Sequence, residues 1–172
     1  DNGYSLLYQD TRKFGRMIVK NESELFSTKP LNKLALDAND PTFTKETLHI
    51  RLKGRKIPIK EALLNQEIIA GLGNIYVDEV LFASRISPLR EACDVSCTEC
   101  GIILEESRKI LNKAISYKGT TIRSYTSSLG VIGEFQNFLC VHTKEICPIC
   151  NGEITKTRIS GRGTYYCARC QK

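Results

Sequence analysis

Four of the eight cysteines have a spacing that does chemistry. Cys147-Pro-Ile-Cys150 and Cys167-Ala-Arg-Cys170 are two pairs, each with two residues between the thiols, and sixteen residues separate the pairs. Two intervening residues let one tight turn aim both sulfurs at the same ion. The chain between the pairs need only go out and return as a hairpin. Four thiolates close a tetrahedron around Zn²⁺ and leave no open position. Cys147, Cys150, Cys167 and Cys170 therefore read as one structural zinc site, not a catalytic one. The competing reading of the same residues is a pair of disulfides.

The stretch between the pairs must position those thiols. Residues 154–159 alternate apolar or branched side chains with basic ones, and residues 164–167 are aromatic and β-forming. Ser160-Gly161-Arg162-Gly163 between them reads as a turn with Arg162 at its tip. From Val141 to Lys172 six Lys/Arg face two Asp/Glu, a net +4 out of +6 for the whole chain. A small module holding most of the excess charge is the footprint of a phosphate-binding element. A solvated basic tail has the same count.

At 172 residues the chain can hold one ordinary domain and a small one. With 41% hydrophobic and 26% charged residues it is globular, not disordered. No apolar run reaches membrane length, so a membrane partner is not expected. No secretion signal opens the sequence, and zinc accounts for half of the cysteines, which together fit a reducing, intracellular setting. The first residues read as part of a strand, so the chain is expected to be a piece of a longer protein or a processed one.

Tyr4–Asp10 and Gly15–Val19 read as two short strands with a bend at 10–15. One hairpin cannot bury a sheet face alone, which again points to an absent N-terminal partner. Residues 21–40 are polar and read as a linker with one short helix. A helix is predicted within 42–52, with Thr44 as cap and Leu48 and Leu52 four apart. Pro58 suits the start of a second helix at Ile59–Leu64. The segment 66–73 turns, with Gly71 and Gly73 supplying unusual backbone angles. Asn74 reads as the N-cap of a third helix running to about Arg85, where Ser87-Pro88 stops it. The free N–H groups of that helix start, with the Asn74 side chain, can hold one phosphate. A capping Asn in a packed helical hairpin is the plainer reading.

Residues 97–117 form a long amphipathic helix, with Ile103, Ile110 and Ala114 in one row and Leu104, Leu111 and Ile115 in the next. Cys93, Cys97 and Cys100 lack a nearby fourth ligand and are read as small core or surface residues, and Cys140 as a packing residue. Residues 119–133 form a Thr/Ser/Gly-rich loop carrying Arg123 and Tyr125, able to close over a ligand or simply to connect. Residues 135–141 make a short apolar element leading into the zinc module.

Four stretches together carry a family resemblance. They are Asp10-Thr11-Arg12-Lys13-Phe14-Gly15, the run 66–79 containing Gly71-Leu72-Gly73-Asn74-Ile75-Tyr76, Gly119-Thr120-Thr121-Ile122-Arg123, and Gly161-Arg162-Gly163-Thr164-Tyr165-Tyr166-Cys167 with Cys170-Gln171. In order and spacing the chain resembles the C-terminal part of formamidopyrimidine-DNA glycosylase, a family that repairs oxidised guanine. The resemblance implies a mainly α architecture. Residues 1–22 would be a remnant hairpin of an N-terminal β-sandwich, 23–41 a linker, 42–134 a helical helix–two-turn–helix DNA-binding domain, and 135–172 a zinc-bound β-hairpin. It implies one structural zinc, a monomer, a bacterial cytoplasmic setting, and as partners double-stranded DNA with oxidised bases or abasic sites and the missing N-terminal domain.

The resemblance also implies roles. Phe14 wedges between bases and Arg12 faces the orphaned base. Lys56, Lys60, Asn74 and Arg162 grip phosphates beside the lesion. Arg162 is also credited with donating a proton in the second elimination. Arg123, Ser124, Tyr125 and Thr126 belong to a loop that reads the extruded base. The family's nucleophile is an N-terminal proline amine, with a catalytic glutamate and a lysine in the same domain. None of these can be placed in this sequence, so the chain is expected to bind damage without cutting it. Residues 139–143 lack the family's usual valine-tyrosine-glycine-arginine run. The alternative is a stand-alone zinc-containing DNA-binding module that does no chemistry.

Overall fold

A computed structural model describes residues 3–8, 10, 13–120 and 133–172. The chain divides into two compact units, Asp1–Asn32 and Lys33–Lys172.

In the first unit the expected bend is present: the Asp10 carboxylate accepts the Gly15 N–H at 2.6 Å, and the Asp10 carbonyl accepts the Lys13 N–H at 3.3 Å. The two expected strands are not. Among the described residues of this unit none is in a strand, and the regular structure includes a 3₁₀ turn at Glu22–Glu24. Tyr4, Leu7 and Val19 are 87%, 89% and 101% exposed. A two-stranded hairpin with no surface to pack on is marginal in water, which is the physical reason for the difference.

Among its described residues the second unit holds four α-helices and one hairpin: α1 (Lys45–Leu52), α2 (Ile59–Leu64), α3 (Asn74–Ala83), α4 (Cys97–Ser116), β1 (Thr155–Ile159) and β2 (Arg162–Tyr166). Three starts follow from local chemistry. Thr44 accepts the Thr47 N–H and caps α1. Pro58 precedes α2, where its fixed φ suits a helix entry. Ser96 and Glu99 form a reciprocal capping box at α4. Glu99 is held further by Arg90, whose two guanidinium nitrogens reach its carboxylate at 2.7 and 2.6 Å.

α4 buries Cys100, Ile103, Leu104, Leu111 and Ala114 against the domain. Ile115, expected on the same face, is 68% exposed, because the buried stripe narrows as the helix nears its end. α3 is apolar nearly all round and is buried on two sides. Val77, Val80 and Leu81 join the main core with Leu48, Leu63 and Ile103, while Phe82 joins a second cluster with Val141, Ile154, Cys147 and Cys167. One helix thus closes the helical domain and seats the finger.

Between α2 and α3 the chain turns on Gly71, whose φ of +90° lies in the left-handed region. A Cβ there would come within 2.5 Å of the Asp37 carboxylate. Gln66 pins the turn, accepting the Gly71 N–H and donating to the Leu72 carbonyl. Gly73, expected to share the unusual geometry, is extended and serves as the N-cap of α3; Asn74 is the first residue inside the helix. The expected linker is shorter than 23–41. Ala35 and Ala38 donate their N–H groups to Gln66 and Ala70, Ala70 donates to Leu36, and Ala38 is fully buried. Residues 34–40 therefore belong to the helical domain. No helix among the described residues is long and apolar enough to cross a membrane.

Candidate nucleic-acid interface

The zinc knuckles are formed by tight turns: the Asn151 N–H reaches the Cys147 carbonyl, and the Cys170 and Gln171 N–H groups reach the Cys167 carbonyl. The four sulfurs lie within 4.8 Å of one another, with Cys147–Cys170 at 3.8 Å and Cys150–Cys167 at 3.5 Å. A tetrahedral Zn²⁺ with Zn–S bonds of about 2.3 Å requires sulfurs about 3.8 Å apart. The set fits that ion, and the separations are far beyond a disulfide bond of about 2 Å. Cys147, Cys150, Cys167 and Cys170 form a single structural zinc site. Cys93, Cys97 and Cys100 do not converge. Cys100 packs inside α4's face, where burial pushes its thiol up to about 12. Cys93 sits against the carboxylates of Glu91 and Asp94. Cys140, expected to pack, is exposed; its N–H donates to Glu79 and its thiol to the Phe138 carbonyl.

The hairpin differs from expectation by one residue at its tip. Ile159 pairs with Arg162, leaving Ser160 and Gly161 as a two-residue turn with φ of +47° and +76°. Two left-handed residues make the primed turn that matches strand twist. Arg162 is thus the first residue of β2, exposed, with no ion-pair partner among the described residues. The Ser160 hydroxyl donates to Glu61 of α2, tying the turn to the helical domain.

Asn74 and the finger meet. The Asn74 Nδ2 donates to the Gly163 carbonyl at 3.0 Å, one residue from Arg162. The first α3 bond is Val77 N–H to the Gly73 carbonyl, so the amides of Asn74, Ile75 and Tyr76 face out of the helix start. That end carries the positive pole of the helix dipole. The site therefore combines backbone donors, an amide and a guanidinium with no ion-pair partner among the described residues, the set that holds a phosphate. Lys56 lies exposed in the loop between α1 and α2 and is available to a second anion.

Lys60, expected to grip a phosphate, is not available to one. Its side chain is fully buried, with Nζ 2.7 Å from Asp78 Oδ1 and 2.9 Å from the Gly163 carbonyl. Burial holds its ammonium below the usual lysine range, against the pull of Asp78, and the nearby Arg162 charge adds to the lowering. An ammonium with two inward acceptors and no solvent access supports the interface from below.

Of the remaining expected residues, Phe14 is 78% exposed in the first unit. Arg12, Arg123, Ser124, Tyr125 and Thr126 lie outside the described residues.

Sequence reasoning missed the groups that dock the finger. Glu79 of α3 accepts the N–H groups of Cys140, Val141 and His142 at 2.7, 2.9 and 2.8 Å. Burial pushes its carboxyl up, and those three donors oppose the shift. Gln171 accepts the Cys167 N–H and donates to the Ile86 carbonyl. The available signal was Asp78-Glu79 inside an otherwise apolar helix face, since buried acids demand partners.

Comparison with known proteins supplies a family. Residues 34–126 match the family described as "Formamidopyrimidine-DNA glycosylase H2TH domain", and residues 144–172 match "Zinc finger found in FPG and IleRS". A formamidopyrimidine-DNA glycosylase of Ureaplasma parvum serovar 3 is 43% identical over 173 residues, covering 99% of this chain and 63% of the relative. One from an Exiguobacterium species is 44% identical over 171 residues, covering 98% of this chain and 62% of the relative. The chain thus spans about three fifths of the curated relatives it matches. Among solved structures, the MutM (FPG) protein of Thermus thermophilus has a TM-score of 0.86 at 33% identity, covering 94% of this chain and 62% of the other. The Lactococcus lactis Fpg in complex with abasic-site DNA has a TM-score of 0.80 at 35% identity, covering 88% and 56%.

Proposed function

The chain belongs to the formamidopyrimidine-DNA glycosylase family, and from that premise we propose that it is the damage-gripping portion of a DNA glycosylase and abasic-site lyase acting on oxidised purines. Its partner is duplex DNA containing 8-oxoguanine, formamidopyrimidines or abasic sites. It works as a monomer, on DNA in the bacterial cytoplasm. The observation that carries the reading is the bond from Asn74 to the Gly163 carbonyl, which joins the α3 helix start to the strand bearing Arg162. Two elements far apart in sequence are held as one donor surface. The Lactococcus relative solved with abasic-site DNA supports the choice of ligand.

In this reading Asn74, the amides at the α3 start and Arg162 hold one phosphate beside the lesion, and Lys56 holds a neighbour. The same reading gives Arg162 the proton-donor role in the second elimination. Phe14 and Arg12 act as wedge and orphan-base reader, and residues 123–126 as the loop over the extruded base. The amine that attacks the sugar C1′ and forms the Schiff base is assigned to an N-terminal domain outside this sequence. The lysines here do not replace it. An exposed lysine with a pKa of about 10.4 is protonated at neutral pH, and Lys60 is buried and paired.

The test is binding of the zinc-loaded chain to an abasic-site duplex across a salt series. Arg162→Ala and Lys56→Ala should each flatten the slope of log K against log salt by about 0.9, one phosphate apiece. Asn74→Ala should weaken binding with the slope kept. An unchanged slope for Arg162→Ala contradicts the assignment.

A further inference from the structure

Asp78 has contacts that phosphate gripping does not use. It is 1% exposed on α3. Its Oδ1 takes the Lys60 ammonium at 2.7 Å, and its Oδ2 takes His142 Nδ1 at 2.7 Å and the Tyr165 N–H at 3.3 Å. Lys60 reaches on to the Gly163 carbonyl at 2.9 Å. Gly163 and Tyr165 are neighbours of the buried Thr164 on β2, so one carboxylate and one ammonium hold the edge of β2 that faces away from β1. Zinc fixes the far end of that strand at Cys167. Arg162 lies five residues away, a lever of about 17 Å at the rise of an extended strand. Without this pair the hairpin keeps the zinc, the Ser160–Glu61 contact and the Asn74–Gly163 bond, but the middle of β2 is freer to swing, and Arg162 moves most.

We propose that Asp78, with Lys60 and His142 as its arms, is the positioning residue for Arg162: it clamps the middle of β2 to α3 and so sets where the guanidinium stands relative to Asn74. The clamp uses a neutralised, buried pair, so it holds the hairpin without itself attracting phosphate. The proposal rests on the reading that Arg162 meets a phosphate, and its test separates the two.

The zinc-loaded chain is compared with Asp78→Asn, Arg162→Ala and the double variant, by amide hydrogen exchange at Tyr165 and by abasic-duplex binding. Asp78→Asn keeps the shape but leaves one acceptor oxygen for three donors. It should retain one zinc, speed Tyr165 exchange at least tenfold and weaken binding about tenfold. In the Arg162→Ala background the same change should cost no further affinity. A purely structural role would weaken both backgrounds equally. Should Asp78→Asn fail to hold zinc, Lys60→Met combined with Asp78→Leu removes both charges and carries the same cycle. Unchanged Tyr165 exchange, or an equal loss in the Arg162→Ala background, overturns the proposal. If Arg162→Ala leaves affinity unchanged while Tyr165 exchange accelerates, the phosphate reading falls and the clamp stands.

Discussion

Glu79→Gln is the most informative change outside the proposed phosphate-binding surface. Glu79 is 5% exposed and receives three backbone N–H groups, two on Oε1 and one on Oε2. Bonds to a charged acceptor contribute about 1.5–3 kcal/mol each and neutral ones about 0.5–1.5. In the glutamine variant the amide oxygen keeps Val141 and His142, now as neutral bonds. The amide nitrogen opposes the Cys140 N–H, which loses its charged acceptor. The gross loss is about 4 kcal/mol. Removing a buried charge offsets part of it, because burial already pushes this carboxyl up. We expect a net loss of about 2–3 kcal/mol, read as a lowered urea midpoint of the zinc-loaded chain at unchanged m-value. The loss should appear first in the finger, since the donors lie at its entry. A loss below about 0.5 kcal/mol, or a gain, would refute the reasoning that these bonds dock the finger.

Metal analysis should find one zinc per chain, and a strong chelator should unfold the hairpin and abolish duplex binding while leaving the α4 helix; two zincs would overturn the single-site assignment. Lys60→Ala should cost about 3–5 kcal/mol by removing the Asp78 counter-charge and, through the loosened clamp, should flatten the duplex salt slope by no more than Arg162→Ala does, whereas Lys56→Ala should leave stability within about 0.5 kcal/mol. Glu99 is held at about 2 by Arg90, below its ordinary 4.5. Its folded pKa is depressed, so its contribution is full above 4.5 and disappears as pH falls through about 2. With both partners about a quarter exposed, screening limits that contribution to about 1–2 kcal/mol. The difference in stability between the unchanged chain and Glu99→Gln, which cancels the acid loss of the zinc site, should shrink over that range; a constant difference would contradict it.

Local chemistry was legible in the residues. The two cysteine pairs, the Thr44 cap, Pro58 before α2 and the Cys97 start of α4 all come from patterns a few residues long, and all are present. What escaped was settled by distant partners. Lys60 is expected from the resemblance to grip a phosphate, but Asp78, eighteen residues on, and Gly163, 103 residues on, take its ammonium. Periodicity carries no information about either. The strands expected at 4–10 and 15–19 failed for a related reason: alternation marks a face fit for burial but does not supply the surface that buries it. The tip of the hairpin shifted by one residue because Ser160 takes the left-handed geometry that glycine usually fills.

The central proposal is that this chain grips damaged DNA without cutting it. Borohydride trapping of the zinc-loaded chain on a labelled abasic-site duplex tests both halves at once. The account predicts that the chain retards the duplex in a native gel and forms no covalent adduct above the level of an unrelated basic protein. An adduct above that level, or no retardation at low salt, would contradict it.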